Sequence, residues 1–497
     1  VEFLRAFIIV FEPVNFLLLT SGVILGIVVG AIPGLTATLA ISLLLPFTFG
    51  LSAIPALIML LGIYVGGIYG GSITAILIRT PGTPGAAATA LDGYPLTQQG
   101  LGGKALGVAT TASFFGGILS AAIMIWLSPI ISSFALKFSS AEYFALAFFG
   151  LTIIFSVSGK SLLKGAVSGT IGLLIASVGL DKIAPYPRFT FGISNLIIGF
   201  PLLPAVIGLF AIAEVFRMFE NPEETTMKVK AKIGRILPTL KELKGLLGLY
   251  FKSGLIGTFI GALPGAGANV ASFLSYSEAK RTSKTPEKFG TGMIEGVAAS
   301  EAANNAVTGG ALIPMLTLGI PGDAVTAVLL GALTIQGLQP GPLLFRNHMN
   351  VIQPLFAGLL VANLVMLISG LSMAPFVARI ATLKKTTLLP AIAIFALIGA
   401  FATEGSLFHM KIALGFGILG YILEKYEFPV APIALAIILG PLAETSFRTA
   451  LIRSRGDMSV FFTRPISVIL IALAFASIIY TLYRNIMYAK RQINLSE

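Results

Sequence analysis

The chain has 497 residues, 56% of them hydrophobic and 11% charged, with a mean hydropathy of +0.94. A soluble protein carries about 25% charged residues, so composition excludes a soluble domain and indicates a polytopic helical membrane protein. The net charge of +12 sits in short loops between apolar runs, the positive-inside pattern rather than a nucleic-acid surface, and with no Cys and two His neither thiol chemistry nor a His/Cys metal site is expected.

The first ten residues hold one basic residue and no small-residue cleavage site, so no signal peptide is read there. Phe16 to Phe49 is apolar but broken at Pro33-Gly34. At about 34 residues it would be ~50 Å long as a helix, against a hydrocarbon core of ~30 Å. That is too long for one span and too short for two, which predicts a re-entrant hairpin with Pro33-Gly34 at its tip. Spans follow at Ala53–Ile78, Ala105–Leu127, Tyr143–Val157, Leu162–Leu180 and Phe200–Phe219. Between the first two lies RTPGTPGAAATALDGYPL, too rich in Pro and Gly for continuous helix.

After the hydrophilic stretch Glu220–Lys244 the pattern restarts. Gly248–Tyr276 is apolar and broken at Pro264-Gly265, a charged loop follows, and Gly292–Thr326 is broken at Pro321-Gly322. Further spans read as Val351–Val377, Leu388–Ala402, Ile412–Leu423, Val430–Leu442 and Ile466–Tyr483. Gly26, Gly30, Ala31, Pro33 and Gly34 match Gly257, Gly261, Ala262, Pro264 and Gly265 at a constant offset of 231. Pro84, Gly85, Ala87, Thr89 and Ala90 match Pro321, Gly322, Ala324, Thr326 and Ala327 at an offset of 237. Chance alignment of Gly/Pro-rich sequence is the competing explanation, but two matches in the same order favour an internal repeat.

An odd number of spans separates the two hairpins, so the halves are expected to be inverted. The predicted fold is an all-α polytopic membrane protein of two inverted-topology repeats, each with a re-entrant hairpin and a Pro/Gly-broken transmembrane helix, with about 10–12 membrane spans. The divisions are a first membrane repeat (1–220), a cytoplasmic linker (221–244), a second membrane repeat (245–463), and a last transmembrane helix with a cytoplasmic tail (464–497). Placing Glu220–Lys244 inside puts most basic loops inside, including Arg79–Lys104, Lys160–Lys164, Lys280–Lys288, Arg379–Lys385 and Lys490-Arg491. Glu444–Arg464, with Arg448, Arg453, Arg455 and Arg464, falls outside. Either the span count slips after Leu388 or those arginines have a specific task.

A polar set interrupts the apolar run that begins at Gly292. Glu301, Asn304 or Asn305, and Thr308 share one helix face by their spacing. Such a stripe at membrane depth must face a cavity or another helix. Asn304 and Asn305 are assigned to substrate, and Thr308 to cation coupling with Glu301. Glu301 itself is open between cation ligand, proton carrier and structural acceptor. The hairpin tips offer free N–H groups and a positive dipole end to an anion. Candidate substrate residues there are Pro33, Gly34, Thr36 and Thr38, with Pro264, Gly265, Asn269 and Ser272. Capping the returning helices is the competing reading for Thr36, Thr38, Asn269 and Ser272, and one residue can do both. At the breaks, unwound carbonyls suit Na⁺. Thr83 is assigned to substrate, Thr80 and Asp323 to the cation, with Asp323 also suited to capping the next helix. Arg79 marks a helix end or pairs with a carboxylate. No Walker loop, H-E-x-x-H or G-x-S-x-G is present, so neither ATP use nor hydrolysis is indicated.

The stretches AIPGLTATLAISLLLPFTF, ALPGAGANVASFLSYSEAKR, EGVAASEAANNAVTGGALIPMLTLGIPGDAVTAVLLGALTIQGLQPGPLLF and GPLAETSFRTALIRSRGDMSVFFTRPIS resemble the tripartite tricarboxylate transporter family, specifically its large membrane subunit of the TctA type. The resemblance runs from about Gly22 to Ser467. It implies a multi-pass permease of a prokaryotic cytoplasmic (inner) membrane that imports a di- or tricarboxylate with a cation gradient. It further implies a small four-span membrane subunit and a periplasmic or surface solute-binding protein. Membrane lipid, a small organic carboxylate and no nucleic acid complete the expected partners; a homo-oligomer stays open. No cofactor is expected beyond Na⁺ as a coupling ion, and no catalytic residue. An elevator-type movement fits the hairpins. A passive organic-anion channel is the alternative, separated by whether binding depends on Na⁺; an intramembrane enzyme would need a nucleophile or metal set that is not seen.

Overall fold

Within hydrocarbon every backbone polar group must find a partner inside the protein, so apolar segments become helices. The structure is a computed structural model describing residues 2–157, 161–220, 236–380 and 385–479. Residues 221–235 of the expected linker, Lys160, residues 381–384 and the tail with Lys490 and Arg491 lie outside the described residues. Among the described residues, seven helices are long and apolar enough to cross a membrane.

The first half runs through α1 (Glu2–Val10), α2 (Pro13–Ala31), α3 (Ala37–Leu44), α4 (Ala53–Ile78), α5 (Ala90–Gln98) and α6 (Gly102–Ala135). It continues through α7 (Ser140–Val157), α8 (Leu162–Ala176), α9 (Leu202–Ile207) and α10 (Ala213–Glu220), the last two joined by a π-helical turn. The second half holds α11 (Leu240–Gly261), α12 (Gly267–Thr282), α13 (Ile294–Leu318), α14 (Ala324–Ile335) and α15 (Pro342–Asn347). It ends in α16 (Met349–Ile380), α17 (Lys385–Ala402), α18 (Leu407–Lys425), α19 (Ala431–Arg453), α20 (Val460–Thr463) and a helix over Pro465–Ile479.

Both predicted hairpins form. α2 turns into α3 through Gly34 at φ 90°, and α11 turns into α12 through Gly265 at φ 81°. Ala53–Ile78 is one helix with the predicted bounds. Two spans differ. Leu162–Leu180 ends as helix at Ala176, and Gly179–Leu180 instead pairs antiparallel with Pro187–Arg188. Val430–Leu442 extends to Arg453, carrying Arg448 and Arg453 on the helix.

Each hairpin packs on its own broken helix through glycine. A Cβ on Gly26 would stand 2.5 Å from the Ile63 carbonyl oxygen, and a Cβ on Gly257 would overlap that of Ala303. Gly70 of α4 meets the Ile27 carbonyl, as Gly310 of α13 meets that of Thr258. The breaks are matched too. α4 stops at Arg79 in a left-handed conformation and α13 stops at Gly319 in the same conformation. Thr80 N–H donates to the Thr74 carbonyl and Ile320 N–H to that of Pro314. Gly82 lies against the Gly30 carbonyl, and a Cβ on Gly322 would sit 2.6 Å from the Gly261 carbonyl oxygen.

These contacts correct the expected alignment. The structural counterpart of Pro321-Gly322 is Pro81-Gly82, at an offset of 240, not Pro84-Gly85. Pro84–Ala87 is a 3-10 turn that follows this break. Sequence could not choose between the two Pro-Gly pairs of TPGTPG; the approach of Gly82 to Gly30 does.

Around this core, α19 packs against α7 and α8, and α18 packs against α9, α10 and their π-turn. Lys164 at the start of α8 donates to the Tyr426 carbonyl, while Glu220 pairs with Lys425, so these ends lie together. At the other end, Arg448 pairs with Asp181 and Glu444, Arg188 pairs with the same two carboxylates, and Arg464 pairs with Glu142.

Gly82→Ala forces a methyl group into the Gly30 carbonyl with no flexible side chain to yield. The variant is expected to lose about 1–3 kcal/mol, seen as a lower midpoint of thermal unfolding in detergent, whereas Gly245→Ala, which meets nothing nearby, leaves the midpoint unchanged.

Candidate functional site

Both tips and both breaks converge on one cavity of about 600 Å³. Its core wall includes Gly34, Thr36, Thr38, Thr83, Gly265, Asn269 and Asp323, all anticipated site residues. The facing wall comes from α10, α18 and α19 and includes Phe210, Glu214, Arg217, Glu424, Val430 and Leu435. The first residues of α3, α12 and α14, namely Ala37, Gly267 and Ala324, all lie in the core wall. Three helix starts therefore face one space. Each carries first-turn N–H groups and a partial positive charge, and at α3 and α14 a side chain accepts from one of those N–H groups.

The hydroxyls and carboxylates in this wall divide between structure and opening. Thr36 caps α3 by accepting from Leu39 N–H at 3.2 Å. Ser272 donates to the Asn269 carbonyl at 3.1 Å and does not line the cavity. Asn269 is exposed to it. Asp323 caps α14, accepting from Thr326 N–H at 2.8 Å, and also accepts from Tyr64 Oη at 2.6 Å. Pro33 and Pro264 set the tips without forming the wall. Thr80 turns its hydroxyl to the Ile78 carbonyl at 3.3 Å.

The polar stripe of α13 is buried behind the wall. Glu301 is wholly buried and accepts from Thr89 Oγ1 at 2.5 Å and Ser113 Oγ at 3.0 Å. It links α13 to the segment after the first break and to α6. Thr308 donates to the Asn305 carbonyl at 2.7 Å. Asn304 faces the first break, its Oδ1 lying against Gly85 and its Nδ2 reaching the Ile68 carbonyl at 3.4 Å. Arg79 is outside the cavity, its guanidinium 5.9 Å from the centre of the Tyr94 ring.

Sequence reading missed three groups. Glu214 pairs with Arg217, which reaches Glu424 at 3.7 Å, putting a charged set on the facing wall. Glu214 lies inside the predicted span Phe200–Phe219, the same signal that singled out Glu301. Tyr64, deep in α4, gave no signal. Asp92 is the third. Its Oδ1 accepts from the N–H groups of Gly290, Gly292 and Met293 at 2.7–2.8 Å, and its Oδ2 from Tyr276 Oη at 2.8 Å. It fastens α5 to α12 and to the start of α13.

With this geometry in place the comparisons are informative. A model of the family described as Tripartite tricarboxylate transporter TctA family matches residues 16–435. The chain belongs to that family. It is a component of a tripartite tricarboxylate transporter, a multi-pass membrane protein from a transporter rather than an enzyme family. The family implies a substrate-binding protein and a small membrane subunit as partners. This TctA-family chain is 38% identical over 485 residues to an uncharacterized 52.8 kDa protein of the TAR-I ttuC′ 3′ region of Agrobacterium vitis, covering 98% of this chain and 96% of the relative. It is 40% identical over 237 residues to an uncharacterized protein of the TAR-II ttuC′ 3′ region of the same organism, covering 48% of this chain and 98% of the relative.

At the end of the bundle away from Glu220, Arg448 beside Asp181 holds that carboxyl well below the usual aspartate range, helped by the Ala184 and Ile183 N–H groups. A depressed acid contributes stability above its unfolded pKa and loses it as pH falls through the folded value. The Arg448–Asp181 contact is thus expected to persist as pH falls through 4, and Arg448→Ala should move the acid end of the thermal-stability profile upward in pH.

Asp92→Asn places an amide donor or a weaker acceptor before three backbone N–H groups. It is expected to lower stability by roughly 2 kcal/mol or more, read as a lower thermal midpoint; a midpoint equal to that of the parent would show that Asp92 holds nothing together.

Proposed function

We propose that this chain is the permease that imports a di- or tricarboxylate, coupled to a cation and supplied by an extracytoplasmic binding protein. The observation that carries this reading is the set of three helix starts, those of α3, α12 and α14, around one cavity. An anion with two or three carboxylates is matched by several N–H clusters better than by one. The volume suits a small organic ligand, and Thr38 and Asn269 supply neutral polar contacts.

The inverted repeat belongs to the same proposal. Matched tips and breaks that meet from opposite faces give a site reachable from either side as the core shifts against the wall of α10, α18 and α19. Coupling then requires that ion and carboxylate stabilise one another's binding.

Arg453 and Arg455 are exposed and, among the described residues, carry no ion pair. We assign the binding protein to this end of the molecule. Reversing both charges should lower uptake into cells or vesicles with expression unchanged; unaltered uptake would remove the assignment.

The function is tested by thermal shift of purified protein with a panel of carboxylates, with and without Na⁺, for the parent chain and Asn269→Ala. One carboxylate should raise the midpoint, more strongly with Na⁺, and lose its effect in the variant. Stabilisation indifferent to Na⁺ and to Asn269 would place the site elsewhere.

A further inference from the structure

The two breaks are equivalent in backbone but not in how their polar groups are used. In the second half, Gly265 N–H donates to the Gly322 carbonyl at 2.7 Å. Beside it, Tyr64 Oη donates to Asp323 Oδ2 at 2.6 Å. That break is closed by protein groups. The offset of 240 equates Asp323 with Thr83 and Tyr64 with Asn304. Neither bond has a counterpart in the first half. No hydrogen bond joins Gly34 to Gly82, and none among the described residues reaches the Gly82 carbonyl. Thr83 Oγ1 and Asn304 Oδ1 are both buried and both without a partner. Thr83 is 3% exposed and Asn304 0%. Asn304 Oδ1 lies against Gly85, two residues from Thr83, and Gly82, Thr83 and Gly85 all border the cavity.

An unbonded buried amide oxygen is costly. Here it lies against Gly85, at the same unwound turn that carries the unpartnered Thr83 hydroxyl and the unused Gly82 carbonyl. What this set lacks is a cation. Its donors are neutral oxygens, which suit a weakly held alkali ion, whereas a divalent ion favours carboxylates. We propose that the first break is a monovalent-cation site formed by Thr83 Oγ1, Asn304 Oδ1 and the Gly82 carbonyl, and that the second break, closed by Tyr64 and Asp323, holds none. This deepens the coupled-transport reading and rests on it for physiological meaning. It places one coupling ion beside the carboxylate cavity.

The test uses full-length purified protein with no carboxylate and no gradient, so it can fail without touching the transport reading, which uptake into vesicles examines separately. Thermal midpoints are recorded against NaCl, with choline chloride keeping ionic strength constant. The parent should show saturable stabilisation by Na⁺. Thr83→Val and Asn304→Ala should each raise the half-saturating Na⁺ concentration about tenfold or more, the loss of one ligand's ~1.4 kcal/mol. Thr83→Ser should restore the response, and Tyr64→Phe should keep the parent's Na⁺ dependence. Elution volumes on size exclusion confirm that each variant is folded, and Thr83→Ser preserves a readout if Thr83→Val is not. A parent with no saturable Na⁺ response would overturn the proposal, as would parent-like Na⁺ affinity in both Thr83→Val and Asn304→Ala. An equal loss in Tyr64→Phe would overturn its restriction to one break.

Discussion

A helix that stops in the middle of a membrane frees backbone groups where water cannot serve them. This protein has two unwound turns inside its core, after α4 and after α13, and much of the packing there answers the same need. Gly82 and Gly322 let each unwound turn lie on the backbone of the neighbouring hairpin, at the carbonyls of Gly30 and Gly261. The hairpins in turn lie on α4 and α13 through further glycines, backbone against backbone. The abundance of Gly in the chain is therefore less a matter of flexibility than of distance: side chains would hold the broken ends apart.

Buried polar contacts then fix how these units stand to one another. Glu301 binds the segment after the first break to α13 and α6, and Asp92 binds α5 to the second hairpin. Each carboxylate joins residues from different halves of the chain. The membrane setting makes them effective, because a group with an unmet partner has no solvent to fall back on. The core is thus an interleaving of the two halves rather than two modules side by side.

Much of this was legible in the sequence because the hydrophobic runs are long and the Pro-Gly punctuation is strong. Ala53–Ile78 is a helix with the bounds its apolarity predicts, and both tips fall at their Pro-Gly pairs. The tip and break residues that line the cavity were identifiable from the same punctuation. What was not legible depends on contacts between distant segments. Glu301 was conspicuous, but its Thr89 partner lies far away in sequence. Asp92 sits in a Pro/Gly-rich stretch where an acid looks like an ordinary turn residue. The facing wall of the cavity comes from α10, α18 and α19, whose patterns are those of ordinary spans, and only packing brings Arg217 and Glu424 together. The register of the first break was ambiguous because TPGTPG offers two similar answers.

The two sides of the cavity differ in how much change they can absorb. The core side is laid out by close-packed main chain, where even a methyl group at Gly82 has nowhere to go. The opposite side is built from the side chains of Leu209, Phe210, Val430 and Leu435, which can be exchanged without disturbing a break. Within a lineage, then, the main-chain side of the cavity would be inherited almost unaltered. Divergence in ligand size and shape would be written into the scaffold face alone.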